Sequence, residues 1–399
     1  MATEPADTPD GVPHDIDPTL GGSYESGVTI ADKFQLLRPL GSGGMGTVWV
    51  AHNRLLDIQV AVKLIDLEGL EDRRAAGKRL LAEARSAARL GHPAVVKILD
   101  FGFTGPGDPF IAMELLDGED LADVLEREGQ VDAITALETM LPLAHGLAAA
   151  HDKGIVHRDI KPENLFLARN DDGSVEPKIL DFGIARLIDS PTRLTIEGTR
   201  LGTPEYVSPE LARGESSAGP ATDIWSFCVV LYELVSGACP FRGINYNVLM
   251  QSIIHEPPRP LEDYGVFDHA LWSIIERGLA KRPEDRWPSM RDLGAAMAGL
   301  LIERGVEEDV SGRLLGRTWN IPTASRAADA GPPSSGERSR NDPKSEESHL
   351  AAIADLNRGG DPAKLLARAE QRRLAVLISM MVVLLLGLVA SILTSTGVF

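Results

Sequence analysis

The stretch from Phe34 to about Arg304 is the only part of this chain that is dense, apolar and periodic enough to bury a substantial core. Its first part predicts strands in FQLLRPL, TVWVAH and QVAVKLI, which are separated by Gly-rich or polar turns. Its later part predicts helices, for example in ATDIWSFCVVLYELVSG and DHALWSIIERGLA. We therefore expect an α+β fold in which a small β-rich lobe precedes a larger helical lobe.

The charge and cysteine content limit the classes of function. A net charge of −18 argues against a nucleic-acid partner. Two cysteines, Cys228 and Cys239, are too few for a disulfide framework, and their apolar surroundings favour buried free thiols in a reducing compartment. Residues 1–30 lack the basic start and apolar run of a secretory signal, and their Pro, Asp, Gly and Thr content predicts a disordered acidic leader.

The stretch GIVHRDIKPENLFL concentrates the chemistry of phosphoryl transfer in one loop. That reaction needs a carboxylate to accept a hydroxyl proton, a cation to stabilise charge on the moving phosphoryl group, and an oxygen ligand for a divalent metal. Asp159, Lys161 and Asn164 supply these three groups. The alternative is a polar surface loop that happens to hold the same residue types, and the length of the pattern disfavours it.

Two further motifs supply a metal ligand and a phosphate-binding loop. Asp181 lies in LDFGIAR, where apolar neighbours predict a buried strand end with one exposed carboxylate facing a metal ion. LGSGGMGTVWVA places Gly41, Gly43 and Gly46 between two predicted strands, where backbone N–H groups can approach phosphates closely. Hairpin turns use the same glycines. No helix follows, which argues against a dinucleotide-binding βαβ unit.

Lys63 and Glu83 form a predicted ion pair. Lys63 lies in the strand-like VAVK, and Glu83 lies on a predicted helix whose other face is mainly Leu and Ala. A strand lysine commonly points to solvent, and a helix glutamate is commonly solvated. Next to a glycine-rich phosphate loop, however, a Lys63–Glu83 pair would orient the lysine toward the α- and β-phosphates of a nucleotide.

Together these motifs resemble the eukaryotic-like (Hanks-type) serine/threonine protein kinases, and their bacterial branch in particular. The resemblance covers residues 34–304 and implies a two-lobed kinase fold that transfers the γ-phosphate of ATP to Ser or Thr hydroxyls of proteins. It implies that Asp159, Lys161 and Asn164 are catalytic, and that Asn164 and Asp181 bind Mg²⁺ or Mn²⁺. The residues implied for ATP binding are Leu40, Gly41, Ser42, Gly43, Gly44, Met45, Gly46, Thr47, Val48, Ala61, Lys63, Glu83, Met113 and Phe166.

The stretch AMELLDGEDL resembles the hinge between the two lobes of these kinases, with Met113 in the gatekeeper position. By the same resemblance, the adenine ring would lie between Val48 and Ala61 above and Phe166 below. Two residues imply the substrate class. Lys161 is placed as in the Ser/Thr-specific members, and Thr203 in LGTPEY is similar to the threonine that lines the substrate pocket.

The stretch GTPEYVSPE resembles the segment that ends the activation loop of these kinases, with Ser208 where many members have Ala. The resemblance implies that Glu210 in this segment pairs with Arg286 in RPEDRW. It also implies that Asp223 in TDIWSF is a buried helix aspartate that braces the catalytic loop.

Autophosphorylation is expected in the activation loop, DSPTRLTIEGTRLGTPEY. Its threonines Thr192, Thr195 and Thr199 are candidates, and we predict Thr195, Thr199 or both. Arg158 could pair with a phosphate there and order the loop. Such autophosphorylation can involve a homodimer.

Two other classes of protein share parts of this pattern. A pseudokinase scaffold would keep the fold without transfer, but it would normally lack one of Lys63, Asp159, Asn164 and Asp181, all of which are present. A small-molecule phosphotransferase can share the Asp-to-Asn spacing. The activation loop and the SPE segment, which serve a bound polypeptide, argue against it.

The C-terminal region predicts a membrane anchor. Residues 305–360 have the Ser, Pro, Gly and mixed charge of a flexible linker, and residues 361–373 predict a basic juxtamembrane helix. Residues 374–393 carry no charge and match the roughly 20 residues that span a bilayer. An interfacial helix would need a polar face, which is missing. Residues 394–399 would form a short extracytoplasmic tail.

Three arginines predict the orientation of this span. Arg368, Arg372 and Arg373 precede it and favour a cytoplasmic N-terminal side. We therefore expect a single-pass inner-membrane protein that contacts the lipid bilayer and keeps its kinase domain beside cytoplasmic ATP.

Overall fold

The structure is a computed structural model that describes residues 24–43, 46–67, 73–182, 204–215 and 219–321. The chain divides into two units, residues 1–328 and 329–399, and every described residue lies in the first. The predicted span 374–393, the helix 361–373 and the tail 394–399 lie outside the described residues.

The first lobe is an antiparallel sheet with the strand order β1-β2-β3-β4-β6-β5. The long apolar runs of the sequence form its central strands, as the β-branched and aromatic content predicts. A helix, α1 (Arg73–Ala88), packs against it. The strands are β1 (Thr29–Ile30), β2 (Phe34–Gly43), β3 (Gly46–Asn53), β4 (Ile58–Ile65), β5 (Ile98–Phe103) and β6 (Pro109–Glu114).

Alternation along β4 separates the two faces of this sheet. Val60, Val62 and Leu64 are buried in a cluster on one face. Ala61 and Ile65 are buried in a second cluster that includes residues of α1. Because side chains alternate along a strand, Lys63 lies on the same face as Ala61 and Ile65. That face continues into the candidate site.

The second lobe is helical and contains a small sheet, β7-β8-β9. Helix α5 begins with Pro220 in the first turn and is followed by Gly237 in a left-handed conformation, as start and stop signals predict. The elements are β7 (Gly118–Asp120), α2 (Leu121–Glu128), α3 (Ala133–His151), β8 (Leu165–Arg169), β9 (Val175–Ile179), α4 (Pro209–Ala212), α5 (Pro220–Ser236), α6 (Tyr246–His255), α7 (His269–Gly278), α8 (Met290–Glu303) and α9 (Leu315–Thr318).

Helix α3 runs through the core of this lobe. It is the one described helix that is long and apolar enough to cross a membrane, and 67% of that stretch is buried inside the protein. The apolar side chains of α3 are buried against α5 and α8 in the core of the lobe. The predicted arrangement of a β-rich lobe before a helical lobe is confirmed.

The helical lobe continues beyond Arg304, where the sequence predicted a flexible linker. Leu315 is fully buried and Trp319 is 6% exposed, and both belong to the main hydrophobic cluster of the lobe. The prediction was wrong for residues 305–321, because two large apolar side chains anchor an otherwise polar segment. The rest of the predicted linker, residues 322–360, lies outside the described residues.

Candidate active site

Asp159, Lys161 and Asn164 lie together in the loop that precedes β8. The Lys161 ammonium is 3.1 Å from Asp159 Oδ2. Asn164 Nδ2 donates to Asp159 Oδ2 at 2.9 Å and to the Asp159 carbonyl at 2.7 Å. A short 3-10 turn over Pro162–Asn164 reverses the chain and brings the amide back to the carboxylate. One carboxylate, one cation and one side-chain amide, which donates through its nitrogen, therefore meet within one turn of backbone.

Asp223 on α5 fixes the backbone just before this loop through hydrogen bonds. Its fully buried carboxylate accepts hydrogen bonds from the backbone N–H groups of His157 at 2.8 Å and Arg158 at 2.7 Å, and its Oδ2 lies 2.7 Å from His151 Nε2. Arg158 has φ = 67°, a left-handed conformation that costs a non-glycine residue roughly 1–2 kcal/mol. The two bonds to Asp223 stabilise that conformation and so aim the next residue, Asp159.

Lys63 and Asp181 form a direct bond between the lobes, with Lys63 Nζ 2.6 Å from Asp181 Oδ2. Lys63 is buried and Asp181 is largely buried. Burial alone would raise the pKa of Asp181, but the adjacent Lys63 ammonium outweighs it and lowers that pKa below its ordinary value. The carboxylate is therefore held ionised. Asp181 also has a left-handed backbone, with φ = 53°.

The sheet face above these residues carries the predicted nucleotide contacts. Val48 on β3 pairs with Lys63 on β4, and Ala61 pairs with Met113 on β6. Directly paired residues point to the same face, so these four side chains line one surface. Phe166 on β8, paired with Asp120, belongs to the helical lobe.

Strands β2 and β3 form a hairpin that closes where Gly43 pairs with Gly46. Gly46 has φ = 132°, and a Cβ there would lie 1.9 Å from the Leu64 carbonyl oxygen. Only glycine fits this position. Leu40, Gly41, Ser42 and Thr47 belong to the same two strands.

Several predicted residues lie outside what the structure describes. They are Gly44, Met45, the side chain of Glu83, the threonines Thr192, Thr195 and Thr199, and Thr203. Glu83 lies on α1 by its backbone, and the Lys63–Glu83 pair stays a prediction.

The sequence model of the protein kinase domain matches residues 34–295 of this chain. The chain belongs to the protein kinase family. The match contains each described site residue named above. It ends within α8, before the packed segment that follows Arg304.

The chain is similar to serine/threonine-protein kinases of bacteria. It is 38% identical over 277 residues to the serine/threonine-protein kinase pkn2 of Myxococcus xanthus, which covers 67% of this chain and 33% of that protein. It is 36% identical over 312 residues to the serine/threonine-protein kinase PknA of Mycobacterium tuberculosis, which covers 77% of this chain and 68% of PknA. The kinase domain is therefore of the serine/threonine type. The chain spans only a third of the length of pkn2.

A solved structure shares the fold. The crystal structure of the Mycobacterium tuberculosis PknI kinase domain is 26% identical and matches with a TM-score of 0.55. The match covers 69% of this chain and 99% of the PknI domain.

Glu210 and Arg286 form the most buried ion pair in the described part of this kinase. Arg286 Nη1 donates to Glu210 Oε1 at 2.9 Å and Nη2 donates to Oε2 at 2.7 Å. Thr222 also donates to Glu210 Oε1, at 2.7 Å. Burial alone would raise the pKa of Glu210, but the Arg286 bonds outweigh it and lower the pKa to about 2. The pair ties α4, which follows the activation loop, to the segment before α8.

The structure gives His157, the first residue of the HRDIKPEN motif, a role that the sequence did not predict. Its Nδ1 accepts from the Asp159 N–H at 3.2 Å, and its Nε2 donates to the Leu180 carbonyl at 2.7 Å. Its ring also meets Phe182 edge-on, with centroids 4.7 Å apart. His157 thus joins the segments that carry Asp159 and Asp181. The sequence signal was only a histidine at the start of the charged motif HRDIKPEN, and the structure shows that this histidine is buried.

The oxygen donors of Asn164 and Asp181 suit a hard divalent cation. The Asn164 side chain bonds Asp159 twice through Nδ2, so its Oδ1 lies on the opposite side of the amide from Asp159. The Leu180 N–H donates to the Asn164 carbonyl at 2.9 Å and ties the two ligand-bearing segments together. Among the described residues no group of three or more His, Cys, Asp or Glu forms a metal site. Two protein oxygen ligands, from Asn164 and Asp181, fit a metal that takes further ligands from nucleotide phosphates.

Proposed function

We propose that this chain is an ATP-dependent protein kinase that phosphorylates Ser and Thr hydroxyls of proteins, including its own activation loop. The observation that carries the proposal is the joined set of Asp159, Lys161 and Asn164 in one loop, next to the Lys63–Asp181 bond. A carboxylate, two cations and two metal-type ligands are the groups that in-line phosphoryl transfer requires.

The proposed roles follow from these positions. The substrate hydroxyl oxygen attacks the γ-phosphorus of ATP, the bond to the β-phosphate oxygen breaks, and ADP leaves. Asp159 accepts the hydroxyl proton, and Lys161 stabilises charge on the transferring group. Lys63 binds the α- and β-phosphates, with Val48, Ala61, Met113 and Phe166 around the adenine.

Asn164 and Asp181 would hold Mg²⁺ or Mn²⁺. When bound, the metal would neutralise charge on the phosphate oxygens. The Asp181 pKa is lowered by the Lys63 ammonium, so this ligand is ionised and ready at neutral pH.

The test of this function is Asp159→Asn in the full-length protein. The variant should fold and bind ATP but lose about 10²- to 10⁴-fold in phosphate transfer to a generic protein substrate, because an amide cannot accept the proton. The matched control is Asp171→Asn, an exposed aspartate in the turn between β8 and β9, which should leave activity unchanged.

Three outcomes separate the candidate functions. Protein phosphorylation by the wild type that Asp159→Asn abolishes supports the proposal. ATP binding without any transfer identifies a pseudokinase scaffold. Transfer to small alcohols or amines, with none to proteins, identifies a small-molecule phosphotransferase.

We further propose that activity depends on phosphorylation of Thr195, Thr199 or both. The support is Arg158, which lies beside Asp159 and whose backbone is fixed by Asp223. A phosphothreonine that pairs with Arg158 would order the activation loop against the base. The reaction between two molecules would use a transient homodimer.

We also propose that residues 374–393 anchor the kinase in the inner membrane with its kinase domain in the cytoplasm. The support is the uncharged composition of this stretch and the three arginines before it. Full-length protein should fractionate with membranes and resist alkaline wash, whereas a chain that ends after Ile321 should be released. Release of the full-length protein by the wash would contradict the anchor.

A further inference from the structure

The segment after α8, residues 306–321, is held together by hydrogen bonds between its own residues. The Asp309 carboxylate accepts from the N–H groups of Ser311 and Arg313, at 2.9 and 3.1 Å. The Leu315 N–H donates to the Glu307 carbonyl at 2.8 Å. We call this segment the strap. It lies beyond the residues matched by the kinase domain model.

Trp319 fixes the strap in a slot between α3 and α8. Its indole lies over Gly294 on α8, where an added Cβ would come within 2.0 Å of the ring. Its ring meets His145 on α3 edge-on, with centroids 5.5 Å apart. A slot that requires glycine on one side and an aromatic ring on the other holds the indole in one orientation.

From Trp319 the contacts continue to the end of β9. His145 Nδ1 lies 2.7 Å from His92 Nε2, in the loop between α1 and β5. His92 Nδ1 accepts from the Ala94 N–H at 3.1 Å. The Ala94 carbonyl in turn accepts from the Ile179 N–H at 2.9 Å. Ile179 is the last residue of β9 and lies two residues before Asp181.

A second contact reaches the beginning of β9. Arg313 of the strap pairs with Glu176, the second residue of that strand, at 3.0 Å. Both side chains are partly exposed. The strap therefore contacts β9 directly near its first residues and, through the two histidines, at its last residue. Strand β9 leads into Asp181, which binds Lys63.

We propose that the strap positions β9, and through it Asp181, so that Trp319 and Arg313 are positioning residues for phosphate transfer. The proposal rests on the kinase function proposed above. Residues distant from the reacting atoms can change such a coupling by roughly 2- to 30-fold. Loss of Trp319 should lower kcat by an amount in that range, because Asp181 acts on the phosphates, and should leave KM for the protein substrate unchanged.

The test compares full-length wild type with Trp319→Ala, Trp319→Phe and two controls. Leu314→Ala removes an exposed side chain from the strap itself. Trp272→Ala removes a partly buried indole that packs on Tyr232, away from the contacts to β9. The readouts are kcat, KM and the rate of hydrogen exchange at two backbone N–H groups. The Val96 N–H donates to the Ile179 carbonyl, and the Ile179 N–H donates to the Ala94 carbonyl.

Faster exchange at Val96 and Ile179 and a lower kcat in Trp319→Ala, both restored by Trp319→Phe and absent from the two controls, support the strap. Unchanged exchange in Trp319→Ala, or the same changes in Trp272→Ala, overturn it. Should Trp319→Ala not fold, Arg313→Gln tests the other end of β9, since a partly exposed pair can be removed at little cost. Exchange needs no activity, so an inactive wild type would refute the kinase function and leave the strap testable.

Discussion

Removal of Arg286 should destabilise the helical lobe more than removal of any surface arginine. The side chain of Arg286 is fully buried and that of Glu210 is 5% exposed. Besides Glu210, the guanidinium donates to the carbonyls of Ala221 at 2.8 Å and Ala280 at 2.9 Å. Arg286→Met keeps much of the volume but removes the guanidinium donor from a buried carboxylate and from two partly buried carbonyls.

Two routes give the size of the effect. Removing one partner of a buried ion pair costs about 3–5 kcal/mol. Independently, the pKa of Glu210 is lowered from 4.5 to about 2. At about 1.4 kcal/mol per pH unit, that difference corresponds to about 3 kcal/mol of stability at neutral pH. The two routes agree on a loss of at least about 3 kcal/mol.

The pH dependence has a definite sign. Because the folded-state pKa of Glu210 is lower than the unfolded one, its contribution is complete above about pH 5 and is lost as the pH falls toward 2. The stability difference between wild type and Arg286→Met should therefore shrink to about half near pH 3.

Urea denaturation of chains that end after Ile321 provides the measurement. The control is Arg282→Met, because Arg282 is 70% exposed and pairs with exposed Glu284. It should change stability by less than about 1 kcal/mol. The reasoning would be refuted if Arg286→Met lowered the free energy of unfolding by less than about 1 kcal/mol at pH 7. It would also be refuted if the difference from wild type did not become smaller as the pH falls toward 3.

Three more predictions concern catalysis, activation and the boundary of the fold. Lys63→Met should lower kcat about 10²- to 10³-fold in a kinase assay, because the phosphates lose their buried cation. Mass spectrometry of the active enzyme should find phosphate on Thr195 or Thr199, and replacing both with alanine should lower activity. A chain that ends after Ile321 should unfold cooperatively, whereas one that ends after Arg304 should be less stable by on the order of 5 kcal/mol, because it loses buried Leu315 and Trp319.

The sequence was sufficient where an interaction is local. Asp159, Lys161 and Asn164 meet because a few residues of turn connect them, so their spacing already encodes their geometry. The strands of the first lobe were predictable for a similar reason, since alternation along QVAVKLI specifies which side chains share a face. The Glu210–Arg286 pair came only from the resemblance to kinases, because its partners lie 76 residues apart. The Lys63–Asp181 bond joins residues 118 apart and was not predicted from the sequence.

The strap was missed because its signal is weak in sequence. Residues 305–321 are rich in charge and glycine, which is typical of a linker. Their fold depends on Trp319, and the slot for Trp319 depends on Gly294 and His145, which lie on different helices. No periodicity within the segment itself could show that such a slot exists.

Carboxylates that bond distant segments of the chain recur at the joints of this structure. Asp223, Glu210 and Asp181 each accept bonds from a segment far away in the chain, and each lies where the backbone or the lobes must hold one arrangement. A buried carboxylate is costly unless it is fully paired, so it stabilises only the arrangement that supplies all its donors. An apolar contact would tolerate small displacements of the loop. Placing a hydrogen-bonded carboxylate at each joint therefore gives the site its geometric precision at some cost in stability. The left-handed backbones of Arg158 and Asp181 are conformations that such bonds can maintain.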